Sequence, residues 1–406
     1  MRPQPSTVDT VVHLHDDPSK VDGAAWNALL ETQAEPTPFM RHEYLLALFA
    51  SGSAVPETGW VNQLLCLRRG DELLGACALY LKSHSYGEYV FDWAWADAYQ
   101  RHGLRYYPKL LGAAPFTPVP GSRLLARDAA SRRTLLQALR QVCGGGKLSS
   151  AHLLFMDAAD RQAAADEGWM LRQTVQFHWL NRQPAGYADF EEFLSSLQRE
   201  KRKKIAQERR RVAEAGVRFT VHVGEQIDGE LWDFFHHCYT LTYAAHHSTP
   251  YLTRDFFTRM QHTMARHWVM FVAHRDGRRV ACSLLAVDPE RRLAWGRYWG
   301  CTEYLPCLHF EACYYQPLSW CIDQGYARFE GGAQGEHKMA RGLLPALTHS
   351  AHWLSHPGFA DAVARHLERE GAGIDAYVDE LRERNPFRAD AAACAAPPVA
   401  ATSSAP

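Results

Sequence analysis

No stretch of the 406-residue sequence approaches the roughly 18 consecutive apolar residues that a membrane-crossing helix needs. Residues 1–17 lack the short apolar core of a secretory leader. These two absences predict a cytoplasmic protein. Charge imbalance is missing too: 44 Lys and Arg face 45 Asp and Glu, for a formal net charge of −1. That balance excludes a generic nucleic-acid coat and confines any anion binding to a local patch. The ten cysteines show no C-x-x-C spacing, and their one cluster, Cys301, Cys307, Cys313 and Cys321, is spaced too widely for zinc knuckles. Adjacent histidines at 236–237 and 246–247 diverge on a helix, and His349 and His352 fall on opposite faces of a strand. No metal site is expected, and the thiols are expected to be free and buried. Large apolar residues become scarce after Arg388, where Ala, Pro and Ser take over, so residues 389–406 are expected to form a disordered tail.

What the sequence does contain is a repeat. Residues 64–79 and 270–285 share one layout: an apolar strand, a charged turn with glycine, and a second apolar strand carrying Ala-Cys. Helical periodicity precedes each copy, at 24–33 and 43–50 in the first and at 231–244 and 254–265 in the second. An aromatic strand is expected after each, at 89–95 and 293–299. The chain is longer than one hydrophobic core usually supports, so two copies of one α/β (α+β) unit are expected. The joint is placed at Asn181 to Tyr187, giving domains at 1–183 and 187–388.

Two segments carry unusual charge. Residues 199–211 hold eight basic residues against Glu200 and Glu208, and such a helix cannot be buried all round. It is either a solvated face or a holder of phosphates, through Lys201, Arg202, Lys203 and Lys204. The second segment is Gly331-Gly332-Ala333-Gln334-Gly335-Glu336-His337-Lys338-Met339-Ala340-Arg341-Gly342, which follows a short strand ending near Phe329. Its glycines allow a turn or close approach to a ligand. Beyond them stand four side chains that move protons or hold negative charge: Glu336, His337, Lys338 and Arg341.

The repeat, the basic helix and this segment make the chain similar to the FemAB-like group of N-acyltransferases, also described as peptidoglycan biosynthesis or recognition proteins. Further carriers are residues 90–99, 106–111 and 115–119, Arg199 to Ile205, His309-Phe310-Glu311, and Cys313-Tyr314-Tyr315-Gln316. The resemblance spans residues 16–388 and implies tandem GNAT-like acyltransferase domains, each a mixed sheet flanked by helices. It also implies an acyl-CoA such as acetyl-CoA, or an aminoacyl-tRNA, as donor, and a small-molecule or cell-wall-precursor amine as acceptor. GNAT enzymes hold the coenzyme A pyrophosphate on a basic-x-x-Gly-x-Gly/Ala turn opening a helix. The matching residues here, 300–309, have neither that glycine spacing nor the basic lead.

Acyl transfer to an amine needs a base, oxyanion donors and an acid for the leaving group. Glu336 and His337 are expected to supply the base, and Lys338 and Arg341 to hold an oxyanion or acidic acceptor. His309 and Glu311, at the start of the next helix, are either proton-transfer groups or a structural cap. Substrate binding is expected from Asp92, Trp93, Trp95, Asp97, Phe116, Thr117 and Arg123 in the first half, and from Arg297, Tyr298 and Gln334 in the second. A non-catalytic module binding cell-wall or aminoacyl ligands is the alternative.

Overall fold

The computed structural model describes residues 9–333 and 335–389. Gln334, and the expected tail apart from its first residue, lie outside them. The chain forms two compact units, the first built from residues up to 174 with 250–264 and 347–377, the second from 175–249, 265–346 and the segment after 377.

In the second unit the expected hairpin is present as antiparallel Trp268–Arg275 and Arg278–Asp288. Arg218–Val223 flanks it on one edge and Leu293–Cys301 on the other. The chain then crosses over through a helix occupying residues 308–323 to Arg328–Ala333, which pairs parallel with Leu293–Cys301 and antiparallel with the later part of Met170–Leu180. The central strands are apolar on both faces because helices cover both, so Val269, Phe271, Val272, Leu284 and Leu285 are buried.

The first unit repeats this path. Leu64–Arg69 and Glu72–Cys77 form its hairpin, Leu79–Lys82 continues the chain into antiparallel pairing with Lys109–Gly112, and helix Ala129–Gly145 leads to Ser150–Met156, which lies parallel to Lys109–Gly112. Its core is aliphatic, with Leu65, Leu79, Leu110, Leu135, Leu139 and Leu153 in one cluster. Buried at its centre, Lys109 donates to Glu88 at 2.7 Å and to Asp92, and His152 Nδ1 meets His352 Nδ1 at 2.8 Å. Burial holds His152 down to about 3, which favours the neutral ring in that pair.

Two expectations change. Residues 89–95 are not a strand: Trp93–Arg101 is a helix, and Tyr89 has a φ of 61°. The apparent alternation in Phe91-Asp92-Trp93-Ala94-Trp95 concealed the i,i+4 pair Trp95 and Tyr99, both buried, which selects the helix. The helix Arg254–Thr263, expected beside the second hairpin, belongs to the first unit, where Phe256 meets the Tyr44 ring edge-on at 5.4 Å.

The expectation of free thiols holds for the described cysteines. Cys66, Cys77, Cys143, Cys238, Cys282 and Cys321 are buried and unpaired, while Cys301, Cys307 and Cys313 are half-buried. No described helix is long and apolar enough to cross a membrane.

Strand Leu293–Cys301 lies directly against helix Gly229–Ala245, because a Cβ at Gly300 would overlap the Cys238 carbonyl group. Backbone cannot yield as a flexible side chain does, so Gly300→Ala should cost about 1–3 kcal/mol, seen as an earlier urea unfolding midpoint. Gly277→Ala, at a turn glycine with open space around it, is the control: it should cost only the smaller strain of its positive φ.

Candidate functional site

Parallel pairing between Leu293–Cys301 and Arg328–Ala333 covers only Leu293↔Arg328, Ala294↔Phe329 and Trp295↔Glu330. Beyond these residues the strands part. A bulge at Leu284/Leu285 bends the outer side of Leu293–Cys301 at the same level. Glycines line the inner side: a Cβ at Gly296 would press on the Phe329 ring at 3.3 Å, and one at Gly331 would overlap Leu343. A cavity of about 190 Å3 opens in the splay, lined by Ser283, Arg297, Trp299, His309, Cys313 and Tyr314 among others. The last three come from the crossover helix, whose residues Glu311–Tyr315 form a π-turn. Such a turn widens the helix and often marks a site. Ser283 Oγ donates to the Ala312 carbonyl oxygen and ties the hairpin to that turn.

Gly335 and Gly342, at φ 106° and 82°, bracket a short 3-10 helix, Glu336–Arg341. The expected glycine-rich turn therefore exists, but it deals its four polar side chains to different tasks. Arg341 is 2 % exposed; its Nη2 donates to both Glu208 oxygens at 3.0 and 2.9 Å, and its Nη1 to the His337 carbonyl oxygen at 2.6 Å. Its guanidinium also lies 3.5 Å from the Phe310 ring centre. Tyr315 Oη donates to the same Glu208 carboxylate. Lys338 is buried behind Gly331, with Nζ donating to the Gly332 carbonyl oxygen at 2.9 Å, and burial lowers its pKa to about 8. His337 Nε2 is 3.2 Å from Tyr314 Oη, and burial, then Arg341 and Lys338, lower its pKa. Glu336 is exposed and meets Arg384 at 3.3 Å.

His309 faces the cavity beside Trp299, and burial, reinforced by His337, Arg341 and Lys338, holds its pKa near 4. Glu311, on another face of the helix, accepts from Gln316 at 2.7 Å and from Arg209 at 3.3 Å. Arg297 and Tyr298 line the cavity and bond to each other at 3.1 Å. Lys201, Arg202, Lys203 and Lys204 occupy the first turns of helix Arg199–Glu214, where Lys203 and Lys204 are exposed and Arg202 reaches the Ser195 carbonyl oxygen at 3.3 Å.

The first-half candidates have separate environments. Asp92 is buried on Lys109 and Tyr106. Trp95 packs with Tyr99 and Val363, whereas Trp93 is exposed. Asp97 meets Arg101 on the surface at 3.1 Å. Phe116 stacks on Tyr251 at 4.7 Å, and Thr117 Oγ1 donates to the Pro115 carbonyl oxygen at 2.9 Å. Arg123, 1 % exposed, donates to the carbonyl oxygens of Leu154, Gly121 and Val119. Its guanidinium is a core brace. No group of three or more metal-ligating side chains converges among the described residues.

Sequence reasoning singled out neither Tyr314 nor Glu330 as a site residue. Tyr314 stood only as part of a family marker; its signal is that His309 and Tyr314, five apart, align only across a π-turn. Glu330 is 2 % exposed, faces Arg328 at 3.1 Å and His178 at 3.8 Å, and is pushed up to about 7 by burial.

Because the folded pKa of Glu330 lies above its unfolded value, its folded state binds the extra proton. The resulting stability is fully present below about pH 4.5 and is lost as pH rises to about 7, on the order of 3 kcal/mol. Glu330→Gln should flatten that part of the stability–pH curve in urea titrations. Arg341→Ala strands the Glu208 carboxylate and should cost about 3–5 kcal/mol by the same measurement.

A family model described as FemAB-like, peptidoglycan biosynthesis/recognition, matches residues 17–389. No curated protein matches the sequence. Among solved structures, FemX shares 10% identity at a TM-score of 0.52, covering 88% of this chain and 100% of its own. L-PGS from Bacillus licheniformis shares 11% at 0.52, over 87% and 98% of the two chains. A conserved protein of unknown function from Bacteroides thetaiotaomicron shares 9% at 0.50, over 84% and 99%. At such identities the likeness is one of fold, a mixed α/β arrangement over nearly the whole of each chain. With the family model spanning nearly all of its length, the chain belongs to the FemAB-like family.

Proposed function

We propose that the protein transfers an acyl or aminoacyl group from a nucleotide-borne thioester or ester to an amine, with a cell-wall precursor as acceptor. The observation that carries this reading is the splay cavity with His309 and Tyr314 on its wall. Facing strand edges that no longer pair with each other can take up an extended, amide-bearing donor as an added strand. The amine nitrogen then attacks the carbonyl carbon, whose π electrons move to oxygen. His309, held near 4 and so neutral at physiological pH, takes the proton that the nitrogen sheds. As the tetrahedral intermediate collapses, the carbon–sulfur or carbon–oxygen bond breaks. The leaving atom takes a proton from Tyr314, whose phenol burial keeps protonated, and His337 hydrogen-bonds the same hydroxyl.

In this reading Lys338 contributes a positive charge beside the cavity that favours the oxyanion. Arg341 acts through the loop it fixes, since its guanidinium is committed to Glu208. The family description supports the acceptor class, and the acyl-CoA and aminoacyl-tRNA donors share the same carbonyl chemistry. One feature favours ligand binding without transfer: residues 300–309 lack the glycine turn that would cradle a pyrophosphate.

Incubation with acetyl-CoA or charged tRNA and an amine-bearing muropeptide precursor should add the acyl mass to the acceptor, read by mass spectrometry. Binding of both substrates with no mass gain would overturn the transferase reading. Tyr314→Phe should lower kcat about 10²–10⁴-fold. The pH profile of kcat/KM should rise through about 4, as His309 loses its proton, and fall through about 8, as Lys338 loses its charge. Lys338→Met should remove the alkaline limb.

A further inference from the structure

A second cavity in the same unit, about 580 Å3, opens between helices Phe190–Ser196 and Arg199–Glu214 and strand Arg218–Val223. The crossover helix contributes Glu311 and Gln316 to it and His309, Cys313 and Tyr314 to the splay cavity, so one helix borders both. We infer that this second cavity binds a nucleotide phosphate with its ribose and base, as the carrier end of the donor.

Three independent features point there. Arg210 and Arg218 line the cavity, and neither has a hydrogen bond or ion pair among the described residues. Helix charges usually find i,i+4 partners or point into open water. Here two guanidiniums, whose planar donors match phosphate oxygens, stand at one concavity. Arg209, the third, is already taken by Glu311 at 3.3 Å and by the Phe190 ring at 4.7 Å. The one other acid on the wall, Glu191, leaves positive charge in excess.

The second feature is Glu311, 4 % exposed, whose Oε1 is bonded to Gln316 and Arg209 while Oε2 is buried without a partner. An unpartnered buried carboxylate oxygen is costly unless a donor reaches it. A ribose hydroxyl is such a donor. The third is the apolar lining, Leu194, Val212, Val217 and Phe219, which offers a nucleobase a dry face beside the charges.

This assignment adds Arg210, one to two turns further along the helix, and Arg218, at the start of the next strand, to the basic residues at 201–204 that the sequence singled out. It rests on the transfer reading only in naming the ligand as the donor's carrier. Coenzyme A and the 3′ end of a tRNA both offer this chemistry, and the test separates them.

The full chain is titrated with coenzyme A and, separately, with an RNA hairpin ending in CCA, against the variant Arg210→Ala/Arg218→Ala. Both side chains are exposed, so the variant should keep its thermal midpoint. The expected result is that one of the two probes binds and that the variant binds it at least tenfold more weakly. For the hairpin, the slope of log affinity against log salt should also fall by about 1–2. Loss for coenzyme A identifies a coenzyme carrier, and loss for the hairpin identifies a tRNA end. Equal affinity of variant and parent, or no binding of either probe to the parent, overturns the inference. A Tyr314→Phe protein that still binds the probe but transfers nothing supports two separate cavities. Arginine-dependent binding with no transfer to any acceptor would sink the transferase reading and leave this inference standing.

Discussion

The carboxylate of Glu208 holds together everything that surrounds the splay cavity. It sits on the buried side of a helix whose other face is strongly basic, and it receives the Arg341 guanidinium and the Tyr315 hydroxyl. Three segments far apart in sequence therefore meet at one charge: the basic helix, the π-turn and the glycine-bracketed loop. A buried pair of this kind contributes little net stability, because desolvation consumes most of the attraction. What it provides is position, since any arrangement that separates the partners leaves an uncompensated charge in the interior.

That constraint explains the division of labour around the loop. Arg341 cannot serve a substrate while it satisfies Glu208, and Glu336 lies outside on Arg384. Lys338 is drawn inward to the Gly332 carbonyl, where lost hydration lowers its pKa, and His337 is left against Tyr314. In the proposed reaction the chemistry falls to the helix opposite, where His309 and Tyr314 line the cavity. The π-turn is what makes this possible. One extra residue in the turn brings residues five apart onto a common face, while Glu311 and Gln316 turn toward Arg209 and the second cavity.

The splay itself follows from ordinary sheet physics. Parallel strands joined by a crossover helix stay paired while side chains and register allow, and here the pairing stops at Trp295 and Glu330. The bulge at Leu284/Leu285 and the glycines at 296 and 331 make the divergence tolerable on both sides. The first unit follows the same path with a short parallel pair, Leu110↔Ala151 to Gly112↔Leu153, but its interior is occupied by aliphatic side chains and by the Lys109 cluster. Duplication thus preserved the scaffold while the interiors diverged.

Much of this architecture is local and so was legible in the sequence. Charged glycine turns between apolar runs specify the two hairpins, and their recurrence 200 residues apart announces the duplication. The glycines around residues 331–342 do adopt left-handed φ at 332, 335 and 342. The aromatic stretch at 89–95 misled because alternation over a few residues is satisfied by a strand and by a helix alike, and burial of Trp95 and Tyr99 settled it. The partners of the site candidates lie distant in the chain and so are not legible locally. Nothing local to Arg341 reveals Glu208, and nothing local to Arg123 reveals the three backbone carbonyls that claim it. Composition and periodicity determined which elements form and that they form twice. Only the tertiary structure decided which polar side chains are spent on one another and which remain free to act, because that outcome depends on desolvation and pairing between residues the chain brings together from afar.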